Sequence, residues 1–437
     1  MSEAVSTAAA DTTEPDIDAA PTYLRRNYLA HTAEGGLYMA GMSFVAADSV
    51  LPAVIHALDG PNWLVALMPM MLMSGGFCSL FTAHLVERLQ RMKPVVLAVG
   101  VVQRLPYLIA GLALFFFSEN HRLLALVLVA VSPLASGLVA GLSIGAWFEL
   151  VCRIIPEHRR ASSWAVRNII TGIIGFFVGW IVSTVLARQP GPVGYGILHL
   201  WCFGFLLLSW LIAATIRETN IPLVRPGRGA GFRENLRGIP GILRTDARFR
   251  RYLIVRIWAS GYFLAGPFLA IHALEVSGKP ESFLGQIVSA QMLGGIAGNI
   301  LAGILGDRSG GKGLVLAEKT LGVALLLATA VNHSVTGFLV IFFMLGVSAA
   351  MGVVGNTTLS MEICPPKRLP TYLAILQFTT MGSILLASQI ASILRDRLPG
   401  NIAPAALLAA GCCAIAFFLI CTVKEPRTAQ RLPAIPV

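Results

Sequence analysis

Charge is what this sequence lacks. Only 13% of its 437 residues are Asp, Glu, Lys or Arg, about half the share of a soluble chain. A soluble globular domain is thereby excluded. Its seven cysteines, Cys78, Cys152, Cys202, Cys364, Cys412, Cys413 and Cys421, sit in or at the ends of apolar runs. None forms a C-x-x-C pair, so neither a disulfide nor a zinc site is expected. The eight histidines are scattered without metal-ligand spacing, so no metal and no cofactor is expected. The polar, acidic start "MSEAVSTAAADTTEPDIDAAP" has neither the basic and apolar stretches nor the cleavage site of a signal peptide. Short alternating strands, the mark of a membrane barrel, are missing as well.

What is present is apolar. Hydrophobic residues make up 56% of the chain, and the mean hydropathy is +0.73. They fall in blocks long enough to cross a bilayer, about 20 residues. The reading is an all-α polytopic membrane protein with twelve transmembrane helices. The expected spans are 28–56, 62–84, 94–117, 122–151, 162–187, 195–216, 252–274, 283–305, 313–332, 335–358, 370–394 and 401–423. Proline inside several of them, such as Pro52, Pro69, Pro106, Pro133 and Pro267, is tolerated because neighbouring helices re-satisfy the freed backbone.

The net charge of +11 does not point to nucleic acid, because the charges occupy short loops rather than an aromatic-interleaved patch. They report orientation instead. With the N-terminus inside, 25 Lys and Arg fall on the inner side and 5 on the outer, Arg104, Arg256 and Lys319 remaining within spans. That bias predicts cytosolic chain ends in a bacterial-type inner membrane. The segment 217–251, with nine arginines, divides the spans six and six. It reads as a basic linker along anionic headgroups. The expected layout is a disordered tail at 1–27, a bundle at 28–216, the linker, a bundle at 252–423 and a tail at 424–437.

The two halves repeat. "LRRNYLAHTAEGGLYMAG" from Leu24 and "FRRYLIVRIWASGYFLAG" from Phe249 match at Arg25/Arg250, Arg26/Arg251, Gly36/Gly261, Ala40/Ala265 and Gly41/Gly266. "AHLVERLQRMK" from Ala83 aligns with "GILGDRSGGKG" from Gly303, Glu87 meeting Asp307 and Arg88 meeting Arg308. Parallel repeats of this kind mark transporters that bind solute between two bundles. The stretch from Gly306 to Gly311-Lys312 falls one residue short of a phosphate loop. An apolar helix precedes it, and Gly313 stands where magnesium would need Ser or Thr.

G-x-x-x-D-R-x-G-x-K, at Gly303, Asp307, Arg308, Gly310 and Lys312, resembles the signature loop of the major facilitator superfamily. A degenerate copy carries Glu87, Arg88 and Arg91 between spans two and three. The resemblance implies a conformational latch, in which Asp307 faces the N-terminus of span five and Glu87 that of span eleven. The unpaired amides and dipole of a helix N-terminus favour an anion there.

Charges inside spans are functional candidates by default. Asp48 and Arg104 are deep enough to pair as a structural tie, the reading preferred over Arg104 meeting an anionic substrate. Glu34 can carry a coupling proton, or be a headgroup-level carboxylate held by Arg25 or Arg26. Arg256 either lines the site or snorkels. Trp147 and Glu149 close span four, and Tyr38, Asn356 and Gln377 are hydrogen-bonding candidates. "GLSIG" at Gly141–Gly145 lies within a continuous span, where a nucleophile elbow cannot form, and nothing else suggests an enzyme. Span five, "NIITGIIGFFVGW", lacks the G-P-x-x-G-G of drug antiporters. The expectation is a monomeric secondary transporter of a small organic solute, with protons or another ion as the coupling partner. A uniporter or drug exporter of the same fold is the alternative, ahead of a non-transporting receptor or a membrane-embedded enzyme.

Overall fold

The computed structural model describes residues 21–76, 78, 89–218, 232–365 and 369–423. The described chain is helical nearly throughout. Among the described residues, eleven helices are long and apolar enough to cross a membrane, and the shorter apolar helix Asn62–Leu72 belongs to a twelfth span. The twelve spans form two six-helix bundles.

Most helix bounds lie within a few residues of the apolar runs, because without water every backbone amide must bond inside its own helix. The ends follow local chemistry. Proline opens the helices Lys93–Phe117, Pro192–Thr215 and Ala403–Cys421, where its missing N–H costs nothing. Asp246 caps Ala247–Ala259 by accepting from the Phe249 amide at 2.9 Å, so the seventh span begins five residues earlier than its hydropathy suggests. The eighth and ninth spans join at Gly310, whose φ of 70° and ψ of −174° are open essentially to glycine alone.

The first and seventh spans depart from the expected continuous helices. The first runs Pro21–Met42, tightens to a 3-10 turn at Ser43–Val45 and restarts as Val50–Ala57. The seventh passes from Ala247–Ala259 through 3-10 turns at Ser260–Leu264 and Gly266–Phe268 to Leu269–Ser277. Each break lies beside a proline, Pro52 or Pro267. Proline donates no hydrogen bond, and its ring displaces the carbonyl four residues back, that of Asp48 or Phe263.

The apolar core differs between the two faces of the membrane region. On the face away from the linker, one cluster serves both halves. It joins Phe44, Val54 and Val182 to Phe268, Ile271, Leu284 and Phe342. On the linker face, the clusters of described residues are separate. One, around Met92, Leu150 and Ile216, belongs to the N-terminal half. Another, around Phe249, Leu359 and Ile420, belongs to the C-terminal half. Part of the expected linker is itself a helix, Phe232–Thr245, and its Ile242 is buried in that second cluster.

Candidate functional site

Between the shared core and the N-terminal linker-face cluster lies a polar layer around a cavity of about 190 Å³. The first, third, fourth and sixth spans line it, with Arg167 entering from the fifth. Four sequence candidates meet here: Glu34, Tyr38, Arg104 and Trp147.

Arg104 is 6% exposed and is held by the backbone. Its Nε donates to the Leu206 carbonyl and its Nη1 to the Gly100 carbonyl, each at 2.6 Å. Its Nη2 reaches Ser209 Oγ at 3.5 Å, and Ser209 in turn donates to Glu34 Oε1 at 3.4 Å. The guanidinium also lies 5.5 Å from the Tyr38 ring centre. Tyr38 Oη accepts from Gln103 Nε2 at 2.5 Å.

Glu34 is therefore not a headgroup-level carboxylate tied to Arg25 or Arg26. It is 7% exposed, and the charges facing it are Arg167 and Arg104. Its Oε2 has no hydrogen-bond partner among the described residues.

Arg167, also 7% exposed, is the residue that the charge pattern concealed. Counted among inner-loop cations, it belongs inside the fifth helix, Glu157–Arg188. Removing it from the inner 25 leaves 24, which preserves the bias. Its guanidinium lies 5.0 Å from the Trp147 ring and 4.9 Å from that of Trp164, within cation–π range. Gly35 makes the space, since a Cβ there would collide with Arg167. Arg167 Nη1 is buried without a hydrogen-bond partner among the described residues. His31 lies against the same two tryptophans, at 5.9 and 5.8 Å. The available sequence signal was a cation among aromatics, Trp164 three residues before it in an apolar helix.

Asp48 is elsewhere, which corrects the proposed pairing with Arg104. It occupies the break in the first span, facing Gln291 of the eighth and Tyr262 of the seventh. Depth alone had suggested Arg104, but the broken helix aims Asp48 across the interface between halves. Nearby, Ser43 Oγ contacts Met292 Sδ at 3.6 Å.

The remaining candidates scatter. Glu149 pairs with Arg153 at 2.9 Å on the linker face, its side chain 45% exposed, rather than lining the cavity. Arg256 lies beside Tyr252, whose hydroxyl reaches Asn356 Oδ1 and Ser360 Oγ, each at 3.2 Å. Asn356 thus serves contacts between helices. Gln377 is exposed on the eleventh span and approaches Gly76 of the second. Sequence reasoning also missed a buried pair in the C-terminal half, Lys319 Nζ to Glu318 Oε1 at 2.6 Å.

On the signature loop, Glu87 and Arg88 lie outside the described residues, as do the side chains of Asp307 and Arg308. Arg91 is exposed, and Gly303 is helical. Lys312 donates to the Val423 carbonyl at 2.8 Å, tying the loop to the end of the twelfth span. Among the described residues no group of His, Cys, Asp or Glu could hold a metal.

No curated relative matches the chain by sequence. The family model of the Major Facilitator Superfamily matches residues 256–436, and solved transporters share the fold across nearly the whole chain. A D-xylose–proton symporter matches at 12% identity and TM-score 0.69, covering 93% of this chain and 99% of its own. The nucleoside transporter NupG matches at 12% and 0.60, covering 92% and 99%. The human organic anion transporter MFSD10 matches at 16% and 0.60, covering 91% and 99%. The match to the superfamily model spans the C-terminal part of the chain, and the solved neighbours extend the likeness of fold to nearly its whole length. The Gly310 break is where the loop that resembles the superfamily's signature turns between the eighth and ninth spans. At these identities the neighbours establish the fold alone, and their different solutes select none for this chain.

Proposed function

We propose that the protein is a monomeric secondary transporter that carries a small organic solute by alternating access. Bundles at 28–216 and 252–423 rock about a midmembrane site, joined by the basic linker 217–251. Both chain ends face the cytosol of a bacterial-type inner membrane, as the arginine and lysine distribution indicates. The observation that carries the reading is the asymmetric core, common to both halves on one face and divided on the other. A pair of bundles joined in that way can part on either side without unpacking internally.

Broken helices support the same reading. The first and seventh spans both lose helical pairing near midmembrane, and irregular backbone at that depth is tolerated where protein or a cavity receives it. On the face away from the linker, Asn62 Nδ2 donates to Asp396 Oδ1 at 2.7 Å, and the Gly191 amide donates to Glu281 Oε2 at 2.8 Å. These few polar contacts across the halves suit a gate that opens. Glu34, buried between two arginines, is the proposed coupling carboxylate. Asp307 and Glu87 are the proposed latch on the linker face.

The test is a panel of radiolabelled solutes in proteoliposomes, with and without a pH gradient. Uptake of one solute, driven by the gradient, supports proton coupling. Exchange without accumulation supports a uniporter. Saturable binding with no flux for any solute overturns the transport reading and favours a receptor.

A further inference from the structure

We infer that the cavity within the N-terminal bundle binds a small planar organic monoanion, a carboxylate on a ring-sized apolar body. The carboxylate sits at Arg167. That this anion is also the solute carried rests on the transport reading above.

The charge balance comes first. Two buried guanidinium groups, Arg104 and Arg167, face one buried carboxylate, Glu34. Among these buried groups one positive charge is left over, and half-buried Lys93 also lines the cavity. An uncompensated charge inside a membrane protein is costly, and a single bound anion removes it. A dianion would reverse the imbalance.

Donor geometry then separates the two arginines. Arg104 spends its Nε and Nη1 on backbone carbonyls and its Nη2 on Ser209. Among the described residues none hydrogen-bonds Arg167 Nη1, although that atom is buried and the residue lines the cavity. Its guanidinium carbon lies within cation–π range of Trp147 and Trp164, which hold the group at the cavity wall. Arginine matches a carboxylate with two parallel N–H bonds, a recognition that lysine does not reproduce.

Size and wall chemistry define the rest of the ligand. A cavity of roughly 150 Å³ lined by apolar groups holds a benzene ring, and this one measures about 190 Å³. A ring and one carboxylate are therefore accommodated. Leu97, Ile144, Leu150 and Trp210 supply apolar wall. The second carboxylate oxygen of Glu34 also lacks a hydrogen-bond partner among the described residues.

The experiment uses the purified full chain in lipid nanodiscs. Calorimetric titrations compare benzoate with its neutral isostere benzamide, the cation benzylamine and the dianion phthalate. The expected result is benzoate binding at least about tenfold tighter than any of the other three, a difference of about 1.4 kcal/mol. Arg167→Gln should bring the benzoate-to-benzamide ratio close to one, and Arg167→Lys should restore part of it. Equal affinity for benzoate and benzamide in the unmodified protein overturns the inference, as does no binding of any probe at millimolar concentration. An unchanged ratio in a folded Arg167→Gln variant does the same. If that variant does not fold, the unmodified protein's ratios decide. Benzoate binding without uptake into proteoliposomes sinks the transport reading and leaves the anion cavity standing. Uptake of a neutral solute with no benzoate binding does the opposite.

Discussion

Glu218 and Arg153 meet at 2.9 Å where the sixth span ends, and each side chain is only 6% exposed. The same carboxylate accepts from the amides of Met92 and Lys93, at 2.8 and 3.1 Å, and so caps the N-terminus of the third helix. Arg153 also donates to the Gln90 carbonyl at 2.7 Å. One acid at the start of the linker thus binds the third, fourth and sixth spans together, where unpaired amides and the helix dipole favour an anion.

Glu218→Gln should therefore destabilise the N-terminal bundle by about 1–2 kcal/mol, since the third helix loses its charged cap while Arg153 keeps Glu149. A lowered unfolding midpoint in detergent is the expected readout. An unchanged midpoint would mean that water already screens the pair.

Gly310→Ala should cost about 1–3 kcal/mol, the usual price of forcing a side chain into this backbone region. Thermal unfolding measures it. Alanine at Gly303, in regular helix, is the control and should change little. A matching loss at both positions would contradict the assignment of strain to Gly310.

The predicted pairing of charges within the membrane is now specific. Asp48→Asn and Arg104→Gln should have additive effects on stability, because the two residues have different partners. Asp48→Asn and Gln291→Leu should be coupled by about 0.5–3 kcal/mol, as residues in contact are. A double-mutant cycle for each pair, read by unfolding, gives both numbers. Coupling in the first cycle and additivity in the second would restore the original pairing.

These cycles mark where sequence reading stops. Apolar blocks announce helices because the bilayer leaves the backbone no other solution, so the spans and the repeat were legible. Depth along a helix was legible too, and it brought Glu34, Tyr38, Arg104 and Trp147 forward as candidates. The azimuth at which a side chain leaves a span depends on packing partners that are remote in sequence. Asp48 and Glu34 share one apolar run, yet the break at Ser43–Ser49 turns them toward different neighbours. Pro52 was visible, but its consequence was not, because proline is often absorbed within spans. Arg167 was hidden differently. The fifth helix begins at Glu157, five residues before its apolar run, so a cation near that run's start looked like loop.

Glu34→Gln should abolish accumulation driven by a pH gradient while leaving solute exchange largely intact, because exchange needs no net proton release. Uptake and counterflow in proteoliposomes separate the two. Continued accumulation by the variant would remove Glu34 from the coupling step and make Asp48 the next residue to test.

The most direct test of alternating access is the distance across the face away from the linker. Spin labels at Trp63 and Arg397, beside the Asn62–Asp396 contact, can be placed in a variant whose seven cysteines are first replaced. Double electron–electron resonance in nanodiscs then reads the separation at several pH values. The account predicts two distance populations, one short and one longer, whose ratio shifts with pH or bound solute. A single short distance under every condition would contradict it, because bundles that never part on that face cannot pass a solute between the two sides.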